Sequence, residues 1–154
     1  MRCHFTNGNH RQRPAMKHLV FIYFIFFAQA AIAQTYNLTL SITNIKNLKG
    51  EIRIGVYNNK YSFPKKKEEY RTFSFPVKAG SEIFTINNLP KGEYAIAIYH
   101  DKNSDGKCNT DFWGIPEEGY GFSKNYRPLL FAPSFKDCKI DLTANMQMTV
   151  KLIF

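Results

Sequence analysis

Residues Glu93–His100 read EYAIAIYH, a run in which both alternating sets of side chains are hydrophobic. On an extended chain Tyr94, Ile96 and Ile98 face one side, and the other set contains two alanines. A short run that is apolar on both faces is typical of a strand at the centre of a sheet with both sides covered. The small alanines indicate that another part of the chain packs closely over their face.

Most other apolar segments alternate strictly between apolar and polar residues, as a strand does when one face lies on a core and the other in water. These segments lie near residues 36–42, 51–56, 71–77, 81–87, 139–142 and 146–154. Turn sequences such as NLKG and NNLPKG separate them, and no segment has a helical period. About seven short strands predict an all-β fold, an antiparallel, immunoglobulin-like β-sandwich formed by residues 34–154.

Residues 1–33 are predicted to be a secretory signal peptide. A positively charged stretch ending at Lys17 precedes the apolar run HLVFIYFIFFAQA, and Ala31 and Ala33 supply the small residues of a cleavage site. The apolar run is shorter than the ~20 residues that span a bilayer, although a retained anchor is the alternative. Cleavage before Gln34 predicts an exported chain, periplasmic or extracellular, with no stable membrane span.

The positive charge is smaller in the exported part. The formal net charge is +9, but the first 33 residues hold four of the 21 basic residues and none of the 12 acidic ones, which leaves +5. Much of this charge is the run Lys65–Lys67, which Glu68 and Glu69 follow at once. A nucleic-acid-binding surface spreads its basic residues over one face. The run therefore predicts a solvated loop and no nucleic-acid partner.

A long insert, residues 101–127, follows the central strand. Roughly 27 residues is far beyond a usual connection of about 4–6 residues, and such loops are functional or disordered. This insert is rich in aromatic residues and lacks disorder-promoting runs, so we expect it to be ordered.

The first half of the insert, DKNSDG, matches the opening six positions of a calcium loop, D-x-[DN]-x-[DN]-G. The predicted calcium ligands are Asp101, Asn103, Asp105, Lys107, Asn109 and Asp111. The closing position holds Phe112 instead of a glutamate, and a strand precedes the loop where a helix is usual. The alternative is a metal-free polar turn, because Asp and Asn side chains cap local backbone amides. Both interpretations stay open.

The second half of the insert, FWGIPEEGYGFSKN, places aromatic rings between glycines. Such rings can stack on a sugar or a peptide, or they can pack as a lid over the alanines of the central strand, which is the favoured interpretation. The candidate binding-surface residues are Trp113, Tyr120, Phe122 and Tyr126. The partner would be an envelope protein, a peptide or a glycan.

Catalytic chemistry has few candidates. After cleavage His100 is the only histidine, which excludes a multi-histidine zinc site in one chain, and no G-x-S-x-G motif is present. We expect Glu117 and Glu118 to be solvent-exposed, and we assign no catalytic residue. Two alternatives to a binding module remain: a structural envelope protein without a ligand, and a hydrolase-like enzyme that uses His100, Asp101 and Glu118.

Two cysteines, Cys108 and Cys138, remain after cleavage. In an exported domain of this size they predict a disulfide between the insert and the strand near Ile140. Two free thiols are the alternative.

The stretch LPKGEYAIAIYHDKNSDGKCNTDFWGIPEEGYGFSKN, residues 89–125, resembles the signature of a family of small secreted bacterial proteins known as a domain of unknown function. The shared elements are Leu-Pro-x-Gly-x-Tyr-Ala, then His-Asp-x-Asn-x-(Asn/Asp)-Gly-Lys, then Gly-Ile-Pro-x-Glu-Gly-Tyr-Gly-Phe-Ser. Cys108 departs from the pattern, where an aliphatic residue is expected, so the disulfide would be peculiar to this chain or to a subset. The resemblance implies export and a transthyretin-like or carboxypeptidase-regulatory-like sandwich, and it implies no activity.

Overall fold

Residues 34–114, 116–129 and 131–154 are described by the structure, a computed structural model, and the predicted signal peptide 1–33 lies outside them. The strands are β1 (Thr35–Thr43), β2 (Glu51–Tyr57), β3 (Arg71–Pro76), β4 (Glu82–Pro90), β5 (Gly92–Asp101), β6 (Tyr120–Phe122), β7 (Ile140–Leu142) and β8 (Met146–Lys151). A 3-10 turn (Ser123–Asn125) and a short helix α1 (Phe135–Cys138) are the helical elements of this part of the chain. No helix within the described residues is long and apolar enough to span a membrane.

The strands form two sheets. One has the order β4-β1-β8, and the other has the order β3-β2-β5-β6. Strand β7 pairs directly with the start of β5, at residues 92–94, whereas β6 pairs with residues 97–99 of β5. The all-β sandwich is therefore confirmed. Two features differ from the sequence-based expectation: β6 lies inside the insert, and β1 and β8 pair in parallel although every other pair is antiparallel.

The core lies between the inner faces of the sheets and follows the predicted alternation. Every second residue is fully buried from Leu38 to Ile42 of β1 and from Ile52 to Val56 of β2, while the residues between them are partly exposed. The central members of the core are Leu38, Leu40, Ile42, Ile52, Ile54, Val56, Ile86, Leu89, Ile96, Ile98, Val150 and Leu152. Removal of this apolar surface from water is the main stabilising contribution to such a fold.

Strand β5 is central, as its sequence predicts. It pairs with β2 along one side and with β6 and β7 along the other. Its outer face carries a second apolar cluster of Tyr57, Phe63, Ala95, Phe135 and Cys138, and Phe63 lies edge-on to three other rings of this region. This cluster covers Ala95, the first of the two alanines of β5. The residues that pack over it therefore come mainly from outside the insert.

Gly121 of β6 tests how tightly the insert is joined to the core. A Cβ atom at this position would lie 2.9 Å from Cγ1 of Val150 and 3.3 Å from the carbonyl oxygen of Lys151. We expect Gly121→Ala to lower the free energy of unfolding by about 1–3 kcal/mol, because overpacking displaces a stiff side chain and backbone. Gly80→Ala is the control, since its nearest neighbour would be 3.7 Å away. Urea denaturation measures both, and equal stability of the two variants would contradict this packing.

Candidate functional site

The carboxylate of Asp101, at the end of β5, is fully buried and organises the start of the insert. Its Oδ1 accepts a hydrogen bond from the backbone N–H of Asp105 (3.1 Å), and its Oδ2 accepts one from the N–H of Gly106 (2.8 Å). Nε of Arg53 donates to the same Oδ2 at 2.9 Å, and the guanidinium also pairs with Glu51 at 3.3 Å. The turn thus folds around one carboxylate whose charge an arginine of β2 balances.

The residues predicted to bind calcium lie in this turn, but their oxygens meet N–H donors. Oδ1 of Asn103 accepts from the N–H of Asp105 (3.2 Å), and Oδ1 of Asp105 accepts from the N–H of Lys107 (2.7 Å). Desolvation opposes a low pKa for Asp105, but bonds from Lys107 and Asn103 hold that pKa below its ordinary value. The carboxylate of Asp111 accepts from the N–H of Trp113.

No group of three or more His, Cys, Asp or Glu side chains within the described residues is placed to hold a metal ion. The backbone N–H of Asn109, another of the predicted calcium ligands, donates to Glu118 at 3.0 Å. The contacts found here are those of a polar turn whose side chains cap backbone amides, and calcium binding stays a prediction.

Glu118 was expected to be exposed, and the structure corrects this. Its side chain is 3% exposed, whereas neighbouring Glu117 is exposed. Oε1 of Glu118 accepts from the N–H of Lys102 (2.9 Å), and Oε2 accepts from the N–H of Asn109 (3.0 Å). A buried carboxylate needs such donors, because its unpaired burial is costly. Glu118 therefore joins the two ends of the polar turn.

His100 is fully buried, and it does not face the two carboxylates of the hydrolase hypothesis. As a neighbour of Asp101 on one strand it points to the opposite face of the sheet. Its Nε2 lies 2.8 Å from the carbonyl oxygen of Lys49, and its Nδ1 has no hydrogen-bond partner among the described residues. Its backbone N–H donates to the carbonyl of Gly119. The contacts of His100 are those of a structural residue.

The two cysteines are free thiols in the structure, so the predicted disulfide is not formed. Cys138 is buried among the rings of the outer cluster, whereas Cys108 lies in the insert near Glu118. Burial, together with repulsion by the Glu118 carboxylate, raises the pKa of the Cys108 thiol to about 11. Cys108 is therefore protonated and a poor nucleophile at neutral pH.

A groove of about 680 Å³ lies on the outer face of β2 and β5. Its floor includes Gly55 and Ala97, which are register partners. The Tyr57 ring and the Glu69 stem lie over Gly55, since a Cβ atom there would be 3.0 Å from Cε2 of Tyr57 and 3.1 Å from Cγ of Glu69. Aromatic side chains stand around this floor: Tyr57, Tyr99, Tyr120 and Phe122. Two of these rings belong to β6, the strand beside β5. Phe122 is the register partner of Ala97, and Tyr120 is the register partner of Tyr99.

Three loops complete the groove. The β2–β3 loop contributes Pro64, Lys66, Lys67 and Glu69; the insert contributes Cys108, Trp113, Gly114 and Pro116; and the segment before α1 contributes Pro128, Leu129, Phe131 and Ala132. Several large apolar side chains at the mouth are exposed to solvent: Trp113 (82%), Leu129 (96%) and Phe131 (84%). Phe112, 94% exposed, lies edge-on to Trp113 with ring centroids 5.5 Å apart.

Three of the four candidate binding residues, Trp113, Tyr120 and Phe122, line this groove, and Tyr126 does not. Phe122 packs beside the outer cluster, as expected for a lid over the sheet. Trp113 is exposed to solvent, which is not expected for a residue of such a lid. Sequence reasoning missed the floor and the other walls, which come from separate strands and loops. Besides the alanines of the central strand, a glycine at position 55, in the middle of an alternating strand, is a signal that could have indicated a close approach to the sheet.

A protein-family model described as "Uncharacterized protein conserved in bacteria (DUF2141)" matches residues 40–151. Searches of curated proteins and of solved structures returned no match.

Glu118 and Glu117 form a matched pair for testing the polar turn. We expect Glu118→Gln to lower the free energy of unfolding by about 1–3 kcal/mol, because an amide presents one acceptor and one donor to two N–H groups. Glu117→Gln should leave stability within about 0.5 kcal/mol, since the replaced side chain is exposed. Denaturant unfolding of both variants measures the difference, and similar stabilities would show that Glu118 does not hold the turn.

Calcium binding can be tested by thermal melting of the full chain. We expect the same melting temperature in millimolar calcium and in chelator, because no group of three or more His, Cys, Asp or Glu side chains among the described residues is placed to hold the ion. A ligand that binds only the folded state raises its stability. A rise in calcium that Asp105→Ala abolishes would contradict the metal-free turn and restore the calcium hypothesis.

Proposed function

Since the chain belongs to the bacterial family DUF2141, whose description names no activity, we propose a function from the groove itself. The protein is an exported, non-catalytic binding module of the cell envelope, and the groove over Gly55 and Ala97 holds its ligand. The observation that carries this proposal is the concave, aromatic-walled surface on the outer face of the sheet.

The form of the groove supports a binding role. A volume of about 680 Å³ is within the ~300–1,000 Å³ range of small-molecule sites. Ligand sites are mostly apolar with a few placed polar groups, and this groove has aromatic walls with Arg53, Lys66, Lys67, Glu69 and Thr72 among its lining. The exposed apolar residues at its mouth form the kind of patch that marks interaction sites on soluble domains.

The position of His100 supports the non-catalytic part of the proposal. Its ring lies on the core side of β5, while the groove lies on the outer side, so the histidine of the domain does not reach the groove. Cys108 lines the groove, but its raised pKa keeps the thiol protonated at neutral pH.

Export and the transthyretin-like relationship belong to the same proposal. Export is supported by the signal-peptide pattern of residues 1–33. The two-sheet sandwich supports a likeness to transthyretin-like accessory domains, but a shared fold alone does not assign a role. The groove, and not the fold, is therefore the basis for the binding role.

The proposal is tested with the uncharged fluorescent probe N-phenylnaphthylamine and the full chain. We expect saturable binding that alters the emission of Trp113, the single tryptophan of the sequence. Ala97→Leu, which fills the floor, should weaken probe binding by about tenfold or more, equivalent to ~1.4 kcal/mol.

Ala79→Leu, an equal enlargement at an exposed position between β3 and β4, is the control and should bind the probe as the unmodified chain does. Melting curves check that both variants are folded. Absence of binding, or equal binding by Ala97→Leu, would favour a structural envelope protein without a ligand.

A further inference from the structure

We propose that the ligand of the groove is an amphipathic anion, a straight-chain carboxylic acid whose hydrocarbon tail lies on the floor and whose carboxylate meets Lys67. This inference rests on the proposed function and names the chemical class of its ligand. It is carried by the aromatic walls of the groove, two of whose hydroxyls are engaged within the protein, and by the sign of the charge at its rim.

The floor offers a ligand no hydrogen bonds. Gly55 and Ala97 are register partners inside a four-strand ladder, where β3 and β6 flank them on either side, so their backbone groups are directed at neighbouring strands. Ala97 presents its methyl group to the groove, and the Tyr57 ring and the Glu69 stem cover Gly55. A polyhydroxylated ligand would lose hydration there without replacement partners, which is unfavourable, whereas a hydrocarbon loses nothing.

Two of the three wall tyrosines, Tyr57 and Tyr99, have hydroxyls that are engaged within the protein. The hydroxyl of Tyr99 donates to the carbonyl of Gly106 at 3.2 Å, and the hydroxyl of Tyr57 lies 3.3 Å from both the carbonyl of Lys65 and the carboxylate of Glu69. Burial raises the pKa of Tyr99 to about 12, so this hydroxyl stays neutral. The walls therefore present ring faces to a ligand, which suits a hydrocarbon chain.

The charges at the rim favour an anionic head group. Three cations, Arg53, Lys66 and Lys67, line the groove with one anion, Glu69. Arg53 is paired with Asp101, and Nζ of Lys66 donates to the carbonyl of Gly106. Lys67 has no hydrogen bond or ion pair within the part of the chain that the structure describes. Its ammonium group, on a loop that borders an apolar groove, is the one placed to pair with a carboxylate.

The mouth of the groove explains why a chain, and not a compact ring, fits best. Leu129, Phe131 and Trp113 are almost fully exposed around an apolar floor that they do not cover. A flexible tail lying between these side chains would bury their surface together with its own. Each methylene added to the tail should therefore tighten binding until the groove is filled.

The inference is tested with straight-chain carboxylic acids of increasing length and with the alcohols of equal length, each displacing N-phenylnaphthylamine below its micellar concentration. We expect the affinity of the carboxylates to rise by up to about fourfold per methylene group. At equal length the carboxylate should bind severalfold more tightly than the alcohol. Lys67→Gln should abolish this preference and leave the affinity of the alcohols unchanged.

Lys65→Gln is the matched control, because Lys65 belongs to the same basic run but does not line the groove and pairs with Glu68 at 3.9 Å. It should retain the preference for carboxylates. Equal affinity of alcohols and carboxylates for the unmodified chain would overturn the anionic head group while leaving the binding function intact. An affinity independent of tail length, or displacement of the probe by a soluble oligosaccharide alone, would overturn the hydrocarbon tail. If the probe itself does not bind, the proposed function fails as well.

Discussion

Two buried carboxylates hold an insert that has little regular structure of its own. Asp101 and Glu118 together accept hydrogen bonds from four backbone N–H groups, those of Lys102, Asp105, Gly106 and Asn109. In most proteins such donors are satisfied by a helix or a sheet ladder. Here the carboxylates replace that ladder, and Arg53 balances one of the two charges from the adjacent strand.

The remainder of the outer face depends on this arrangement. Because Glu118 fixes the far end of the turn, the chain returns as β6 and places Tyr120 and Phe122 beside β5. The segment between the two carboxylates then projects outward with Trp113 at the mouth of the groove. The turn before β2 also contacts the end of β5 at Asp101. A Cβ atom on Gly50 would lie 2.1 Å from the carbonyl oxygen of Asp101, and Gly50 has a φ of +79°. Only glycine suits such a close approach with that backbone conformation.

Much of the fold could be predicted from the sequence, because burial of one face of each strand imposes a period of two. Strand β6 could not, since it is three residues long and contains a glycine within a glycine-rich loop. The parallel pairing of β1 with β8 joins segments about a hundred residues apart, and a local pattern carries no signal for such a pairing. Six of the seven predicted strands were recognised by their alternation, and the central strand was recognised by apolar residues on both faces.

The site was less predictable, for two physical reasons. The polar turn uses residue types that bind calcium and cap amides equally well, so composition alone could not separate the two roles. The burial of Glu118 depends on where the chain folds back, which its immediate neighbours do not indicate. The groove is built from β2, β5, β6 and three loops, so only Trp113, Tyr120 and Phe122, which lie close together in sequence, could be proposed in advance.

Residue-resolved hydrogen exchange of the native chain, measured by NMR, tests the role of the two carboxylates most directly. The amides of Lys102, Asp105, Gly106 and Asn109 lie in irregular backbone, yet each donates to a buried carboxylate. We predict that these four amides exchange far more slowly than that of Ser104 in the same turn and approach the protection of the β5 amides. Exchange of all four as fast as that of Ser104 would show that the carboxylates do not hold the insert, and would contradict the account.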